Sequence, residues 1–165
     1  SLSNLCFRQF RMAEEFSLLY AASKNETHLN TMLAWLYLPG NAYELEATNK
    51  EYRKYLTPTE VKKRAKNIAK IDIETRYYLY LWYCNAKSAL QKKFYEIWEA
   101  PSGTSKTKIN QNLLDKLRQN FSSMLVLRAE HVTRLEDTDF SMLFDVLQFF
   151  QSEIIQAKAA RKNDK

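Results

Sequence analysis

The side chains that most often perform acid–base or metal chemistry are scarce in this sequence. It has two histidines, His28 and His131, and neither belongs to a metal-ligand pattern such as Glu-x-x-His or His-Glu-x-x-His. It also contains no glycine-rich phosphate loop, no Gly-x-Ser-x-Gly elbow and no Cys-x-x-Cys pair. The sequence therefore predicts a protein that is not an enzyme, with no catalytic residues, no metal site and no small-molecule cofactor.

The two cysteines, Cys6 and Cys84, are the remaining candidates for nucleophilic chemistry. Both lie in apolar stretches with helical periodicity, where a thiol packs as a small hydrophobic group. We expect buried free thiols, which suit a reducing compartment of the cytoplasmic type. The apolar run at residues 77–84 is too short and too rich in hydroxyls to span a bilayer, so we expect a soluble chain.

His131 and a group of acidic residues near the last predicted helix allow two further hypotheses. His131 falls on the apolar seam of its helix, where it could act as a pH switch. A hydrogen-bonded histidine in the last turn of a helix explains the same position. The acidic residues Glu136, Asp137, Asp139 and Asp145 could hold a cation, but they straddle a helix junction, where carboxylates ordinarily cap a helix.

The strongest functional signal is a basic stretch from residue 50 to residue 70. It holds eight lysines and arginines against two glutamates, so it alone equals the formal net charge of +6 of the whole chain. On a helix, four of its lysines fall within about 100° of one another and opposite Val61, Ala65 and Ile68. These four are Lys62, Lys63, Lys66 and Lys70. They occupy the first turns of that helix, where the helix dipole disfavours cations.

This pattern predicts a binding site for an acidic or phosphate-bearing partner. An exposed row of lysines is also typical of a helix face that is merely solvated, and this alternative stays open. A weaker candidate site is the irregular segment that contains Pro39, Asn41 and Tyr43. The predicted binding residues of the basic stretch are Lys54, Lys62, Lys63, Lys66, Lys70, Tyr52 and Tyr55.

We interpret the chain as a macromolecular interaction module that uses the basic helix end at residues 50–70 or a groove between helices. A protein partner fits best, and an anionic membrane surface or a nucleic acid is the other use of the basic stretch. Because the lysines have few arginine forks beside them, nucleic-acid binding would be limited to phosphate contacts. The motif-poor sequence also allows a secreted bacterial effector-type domain that acts on host proteins.

The elements that must position these residues are helices. Only two glycines and three prolines interrupt 165 residues, which is too few for the turns of a β-sandwich or a Rossmann fold. We predict a single all-α domain over residues 1–165, built as a bundle of four to five helices, with more than about 65% helix. The chain begins Ser1-Leu2-Ser3 without Met, which is compatible with a domain excised from a longer protein.

One long central helix, about residues 58–99, dominates the predicted bundle. Thr57 and Glu60 form a capping box at its start, and polar residues allow a kink or a break near 71–75. After this point the pattern is apolar nearly all round, as in a helix wrapped by others. We therefore expect Trp82 to be among the most buried side chains.

Shorter helices are predicted before the central one. The first covers about residues 4–22, and the second is capped by Asn25 and ends at Pro39-Gly40. A further short helix is expected within residues 43–56.

After the central helix we predict a loop at residues 101–107 and then two more helices. The last of these is capped by Asp137 or Thr138. A frayed basic tail is expected from about residue 158 to residue 165.

Overall fold

The computed structural model describes residues 2, 4–45, 49–98, 111–129 and 135–163. This part of the chain is 83% helical, contains nine α-helices and has no strand, which confirms the predicted all-α fold. None of its helices is both long enough and apolar enough to cross a membrane. The helices are α1 (Phe7–Ser23), α2 (Glu26–Leu36), α3 (Lys50–Lys54), α4 (Pro58–Ile68), α5 (Ile73–Lys93), α6 (Tyr95–Trp98), α7 (Gln111–Ala129), α8 (Leu135–Asp139) and α9 (Leu143–Asn163), with a 3₁₀ turn at Gly40–Glu44.

Helix α2 is the most enclosed of the described helices. Seven of its eleven residues are buried, including Leu29, Leu33 and Trp35. Asn25 caps it as predicted, since its side-chain oxygen accepts a hydrogen bond from the amide of Thr27 at 2.9 Å. The helix with the largest buried fraction is therefore α2, which packs against α1, α4 and α5, and not the predicted helix over 58–99.

The predicted long helix is broken into separate helices. Helix α4 ends at Ile68, and α5 begins at Ile73. Asp72 caps α5, because its carboxylate accepts a hydrogen bond from the amide of Thr75 at 2.7 Å, and this bond lowers the pKa of the carboxyl. Of the kink or break predicted near 71–75, the structure shows the break, with a new helix start at Ile73.

Helix α5 lies at the periphery and turns one narrow face inward. Arg76, Tyr83 and Leu90 are buried at seven-residue intervals, and the Tyr83 hydroxyl donates to Oε1 of Glu14 at 2.6 Å. Trp82, one residue away, is 42% exposed, so the prediction that it belongs to the core is wrong. Because α5 is apolar on both faces, periodicity alone could not tell which face packs.

The last helices return to the start of the chain. An isolated β-bridge joins Cys6, just before α1, to Met142, just before α9. Helix α9 begins at Leu143, so the prediction that Asp137 or Thr138 caps it is wrong. These two residues lie in the separate short helix α8, which the sequence pattern merged with α9.

Helix α9 continues to Asn163, so residues 158–163 of the predicted frayed tail are helical. The predicted loop at 101–107 and His131 lie outside the described residues.

Candidate functional site

Helix α4 carries most of the basic stretch and starts as its sequence predicts. The Thr57 hydroxyl accepts a hydrogen bond from the amide of Glu60 at 3.3 Å. Pro58 occupies the first helical position, where no backbone donor is needed. Val61 is the buried residue of the helix, and it fixes the rotation that turns the lysines toward solvent.

An apolar groove with a volume of about 560 Å³ lies between α1, α2 and α4. It follows α4 from its first residue to the residue after its end, a length of about 16 Å at 1.5 Å per residue. Its lining is almost entirely apolar and includes no acidic side chain. The lining residues are Met12 and Phe16 from α1, Thr27, Asn30, Thr31 and Trp35 from α2, and Pro58, Val61, Lys62, Ala65, Lys66 and Ala69 from the α4 segment.

Two of the predicted lysines, Lys62 and Lys66, form the α4 side of this groove, which we call the lysine rim. They are exposed, lie one helical turn apart, and make no ion pair with another residue of the described ranges. Like charges at this spacing destabilise a helix by roughly 0.2–0.5 kcal/mol. Lys66 lies in the last turn of α4, where the helix dipole favours a cation, so the prediction that all four lysines occupy the first turns of a helix is wrong. The lysine rim is therefore a positive edge beside an apolar surface, without an ion-pair partner in the described ranges.

The polar side chains on the α2 side of the groove are uncharged. The Thr31 hydroxyl donates to the backbone oxygen of Thr27 at 2.8 Å. Asn30 accepts a hydrogen bond from the buried Arg76 of α5 at 2.7 Å, and Arg76 also pairs with Glu26 at 2.9 Å. These contacts hold α2 against α5 and leave the lysine rim as the charged edge of the groove.

The other predicted lysines are not brought to the groove. Lys63 and Lys70 are exposed but lie outside its lining, and Lys54 forms an exposed ion pair with Glu51. Ala65, which the helical pattern placed opposite the lysines, lines the groove next to Lys62 and Lys66. The basic face and the apolar face of α4 therefore meet along one edge of the groove.

Two arginines of the basic stretch are structural. Arg53 pairs with Asp137 of α8 at 2.8 Å, and its guanidinium lies 4.8 Å from the ring centre of Phe140. Arg64 donates from Nε to the backbone oxygen of Ala34 at 3.1 Å, and burial lowers the pKa of its guanidinium. The charge that the stretch offers to a partner is thus smaller than its sequence indicates.

Tyr52 is part of the core, so its prediction as a binding residue is wrong. It is 2% exposed, and its hydroxyl donates to Oε1 of the buried Gln9 at 2.7 Å. Gln9 also accepts from the amide of Cys6 at 3.0 Å and donates to the backbone oxygen of Trp35 at 3.1 Å. This network ties α1, α2 and α3 together, because an unpaired buried amide would cost roughly 1–3 kcal/mol.

The weaker candidate loop, with Pro39, Asn41 and Tyr43, lies outside the groove lining. The Tyr43 hydroxyl accepts from the amide of Leu38 at 2.8 Å and donates to the backbone oxygen of Leu36 at 2.9 Å, so this side chain closes the end of α2.

Tyr55 is half-buried, and its hydroxyl accepts a hydrogen bond from Asn41 at 3.3 Å. It therefore connects the loop to the end of α3 and does not reach the groove lining.

The other groups that could do chemistry have structural partners. Asp139 accepts hydrogen bonds from Arg11 at 3.0 and 3.1 Å. The His28 ring is 3.0 Å from the Ser23 hydroxyl.

Cys6 is a buried free thiol and Cys84 is a half-buried one. Across the described ranges, no three His, Cys, Asp or Glu residues are grouped so that they could hold a metal ion.

The fold and this groove define the protein as an all-α chain with a helix-lined apolar cleft. Comparison of the chain with protein-family models, with curated proteins and with solved structures gives no match.

Proposed function

We propose that the protein is a non-enzymatic interaction module whose groove binds an acidic amphipathic helix of a protein partner. The observation that supports this most directly is the apolar groove with Lys62 and Lys66 along one edge. The apolar side of the bound helix would lie against Trp35 and Val61. Its acidic residues would lie against the lysine rim.

The shape of the groove favours a helix as the occupant. Its three walls are helices, and a fourth helix can pack its side-chain ridges between them. The described ranges offer no strand edge to which an extended peptide could add. Helices that bind in grooves use apolar residues at positions i, i+3 or i+4, and i+7, which span about 10 Å. The groove is long enough for this set of anchors.

The charge of the groove favours an acidic occupant. Lys62 and Lys66 are one turn apart, so two carboxylates one turn apart on the bound helix would face them. Such a partner would also relieve the repulsion between the two lysines. A cationic helix would place like charges together at the edge of an apolar surface, which is unfavourable.

The proposal can be tested with two synthetic helical peptides and two protein variants. The peptides share an apolar face and differ only in carrying glutamates or lysines beside it. Fluorescence anisotropy should show binding of the acidic peptide and not of the basic one. Lys62→Glu/Lys66→Glu should weaken acidic-peptide binding about tenfold, from the loss and reversal of two exposed pairs, and should allow binding of the basic peptide.

Lys63→Glu/Lys70→Glu is the matched control, because it changes the net charge equally outside the groove lining. It should weaken binding less than the rim variant, by about threefold or less, because Lys63 and Lys70 do not line the groove, although both lie within one turn of Lys66 and inside the screening length of about 8 Å. Filling the groove with Ala65→Leu should weaken binding without a change of charge. Equal effects of the two double variants, with no effect of Ala65→Leu, would contradict groove binding.

A second candidate function is binding of nucleic acid through phosphate contacts. It is favoured by the exposure of Lys62, Lys63, Lys66 and Lys70. Single-stranded DNA binding that both double variants weaken equally, with a steep dependence on salt, would support this candidate over the groove.

A further inference from the structure

The outer face of α5 presents a straight line of exposed residues, which we call the seam. Its six residues follow one another at alternating intervals of four and three, the spacing of any line along a helix face, and two of them, Tyr78 and Leu81, are apolar. This line lies on the side of α5 opposite the buried Arg76, Tyr83 and Leu90. The seam residues are Glu74, Tyr78, Leu81, Asn85, Ser88 and Lys92.

The two halves of this face differ in the size of their side chains. The first half exposes large apolar groups, with Tyr77 at 46%, Tyr78 at 70% and Leu81 at 38%. The second half exposes small ones, including Ser88 and Ala89. An exposed patch of large apolar side chains on a soluble chain is typical of an interaction surface.

The two ends of the seam carry opposite charges. Glu74 stands at its start and Lys92 at its end, 18 residues later. Five full turns of helix separate them, so they lie on the same line along α5. Neither makes an ion pair with another residue that the structure describes.

We propose that this face binds a second copy of the chain, with the two α5 helices antiparallel about a two-fold axis near Tyr83. Each residue then stands opposite the residue equally far on the other side of this position. Glu74 faces Lys92 of the second copy at both ends of the pair. Tyr78 faces Ser88, so that large side chains oppose small ones.

Self-complementarity is what favours a second copy over a foreign partner. In a two-fold dimer one patch must match itself. Here the charges match at the two ends of the seam and the sizes match between Tyr78 and Ser88, while Leu81 lies opposite the polar Asn85. A membrane surface has one sign of charge, so it would attract Lys92 and repel Glu74. The paired face is about 27 Å long and one helix wide, smaller than a standard interface, so we expect a weak dimer that forms at high concentration.

A charge exchange tests the pairing. Sedimentation equilibrium over a wide concentration range should show a reversible monomer–dimer equilibrium for the unaltered protein. Glu74→Lys should weaken dimerisation about tenfold, because it places lysine opposite lysine at both ends, and Lys92→Glu should weaken it similarly. The combined Glu74→Lys/Lys92→Glu variant should restore the dimerisation constant to within about twofold, since opposite charges face each other again.

Lys63→Glu, an equal change of charge on an exposed position of α4, should leave the equilibrium unchanged. A protein that stays monomeric at every concentration would overturn the proposal. So would a combined variant that dimerises no better than the single ones. Sedimentation with phosphatidylserine vesicles tests whether the face binds a membrane instead. If the protein stays monomeric and Glu74→Lys strengthens its binding to the vesicles, the face binds lipid and the proposal is overturned.

Discussion

The groove beside α4 and the outer face of α5 are both exposed apolar surfaces, yet they differ in shape and in charge. The groove is concave, lies between three helices and has one sign of charge, from Lys62 and Lys66. The face of α5 is a single helix surface with an acid at one end and a base at the other. A surface with one sign of charge needs a different molecule of opposite charge, whereas a surface that carries both signs in symmetric positions can pair with itself.

The two regions are built on a common support. Arg76 on the inner side of α5 holds Asn30 of α2, and Asn30 lines the groove. Tyr83 holds α5 against Glu14 of α1. We therefore expect substitutions on the inner side of α5 to disturb both surfaces, and substitutions on the outer side to disturb only one.

The largest expected effect separates the two sides of α5. Tyr83→Ala should lower the free energy of unfolding by roughly 3–5 kcal/mol, because it opens a cavity and leaves the buried Glu14 without its hydroxyl donor. Trp82→Ala, one residue away on a flank of α5, should cost about 1–2 kcal/mol, because the indole is 42% exposed and its remaining surface lies in a pocket with Leu5 and Leu36. Denaturant unfolding at a concentration where the monomer dominates measures both values. Similar losses for the two variants would contradict the orientation of α5.

An intermediate effect concerns alkaline pH. Burial raises the pKa of Cys6 from 9.0 to about 12, so above pH 9 the unfolded chain loses this proton while the folded chain keeps it. The stabilising contribution is complete below pH 9 and is lost as pH rises toward 12, by up to about 1.4 kcal/mol per pH unit. Burial likewise raises the pKa of Tyr80 on α5 to about 12, so this hydroxyl adds to the alkaline loss of stability.

The Cys6→Ala variant shows how much of the alkaline loss of stability comes from the Cys6 thiol. Unfolding should be measured for both proteins at neutral pH, where the difference reports packing alone, and then at rising pH. The variant should lose stability less steeply above pH 9 than the unaltered protein. Parallel pH profiles would contradict the burial of Cys6 as a thiol.

The smallest expected effect is that one substitution in the lysine rim raises stability and weakens binding. Lys62→Glu replaces a repulsion with an attractive pair between positions 62 and 66, near the helix start where an acid is favourable. It should raise the free energy of unfolding by about 0.5 kcal/mol, while it weakens acidic-peptide binding. Thermal unfolding and anisotropy on the same sample measure the two changes. A lower free energy of unfolding in Lys62→Glu would contradict the observation that Lys62 and Lys66 have no ion-pair partner in the described ranges.

The sequence predicts the starts of α2 and α4 well, because each depends on neighbours in the chain, whereas the predicted start of the last helix at Asp137 or Thr138 is wrong. Asn25 and Thr57 cap α2 and α4 as expected, and the polar segment near residue 72 marks the helix boundary between α4 and α5. The all-α fold follows from the scarcity of glycine and from apolar periodicity, and both are properties of composition and spacing.

The roles of individual side chains could not be predicted in the same way, because they depend on contacts across the chain. Trp82 and Tyr83 are neighbours of similar apolarity, and only the packing of α5 against Glu14 determines which is buried. The hydrogen bond of Tyr52 joins it to Gln9, 43 residues away. Arg53 was counted with the exposed cations because Asp137, its partner, is 84 residues distant.

The groove was predicted only in general terms for the same reason. Periodicity placed Val61 and Ala65 on an apolar face and the lysines on a basic one. It could not show that Phe16 and Trp35 stand across from them, since these residues belong to α1 and α2. The α5 seam could not be recognised from the sequence, because four of its six residues are polar or charged and their spacing is that of any helix face.

A single sedimentation velocity experiment tests the separation of the two surfaces most directly. The protein is mixed with a dye-labelled acidic helical peptide, so that protein absorbance reports dimerisation and dye absorbance reports peptide binding. We predict that Lys62→Glu/Lys66→Glu loses the peptide and keeps the dimer, and that Glu74→Lys loses the dimer and keeps the peptide. A variant that stays folded but loses both peptide binding and dimerisation would contradict the independence of the two surfaces. So would release of the peptide when the unaltered protein dimerises.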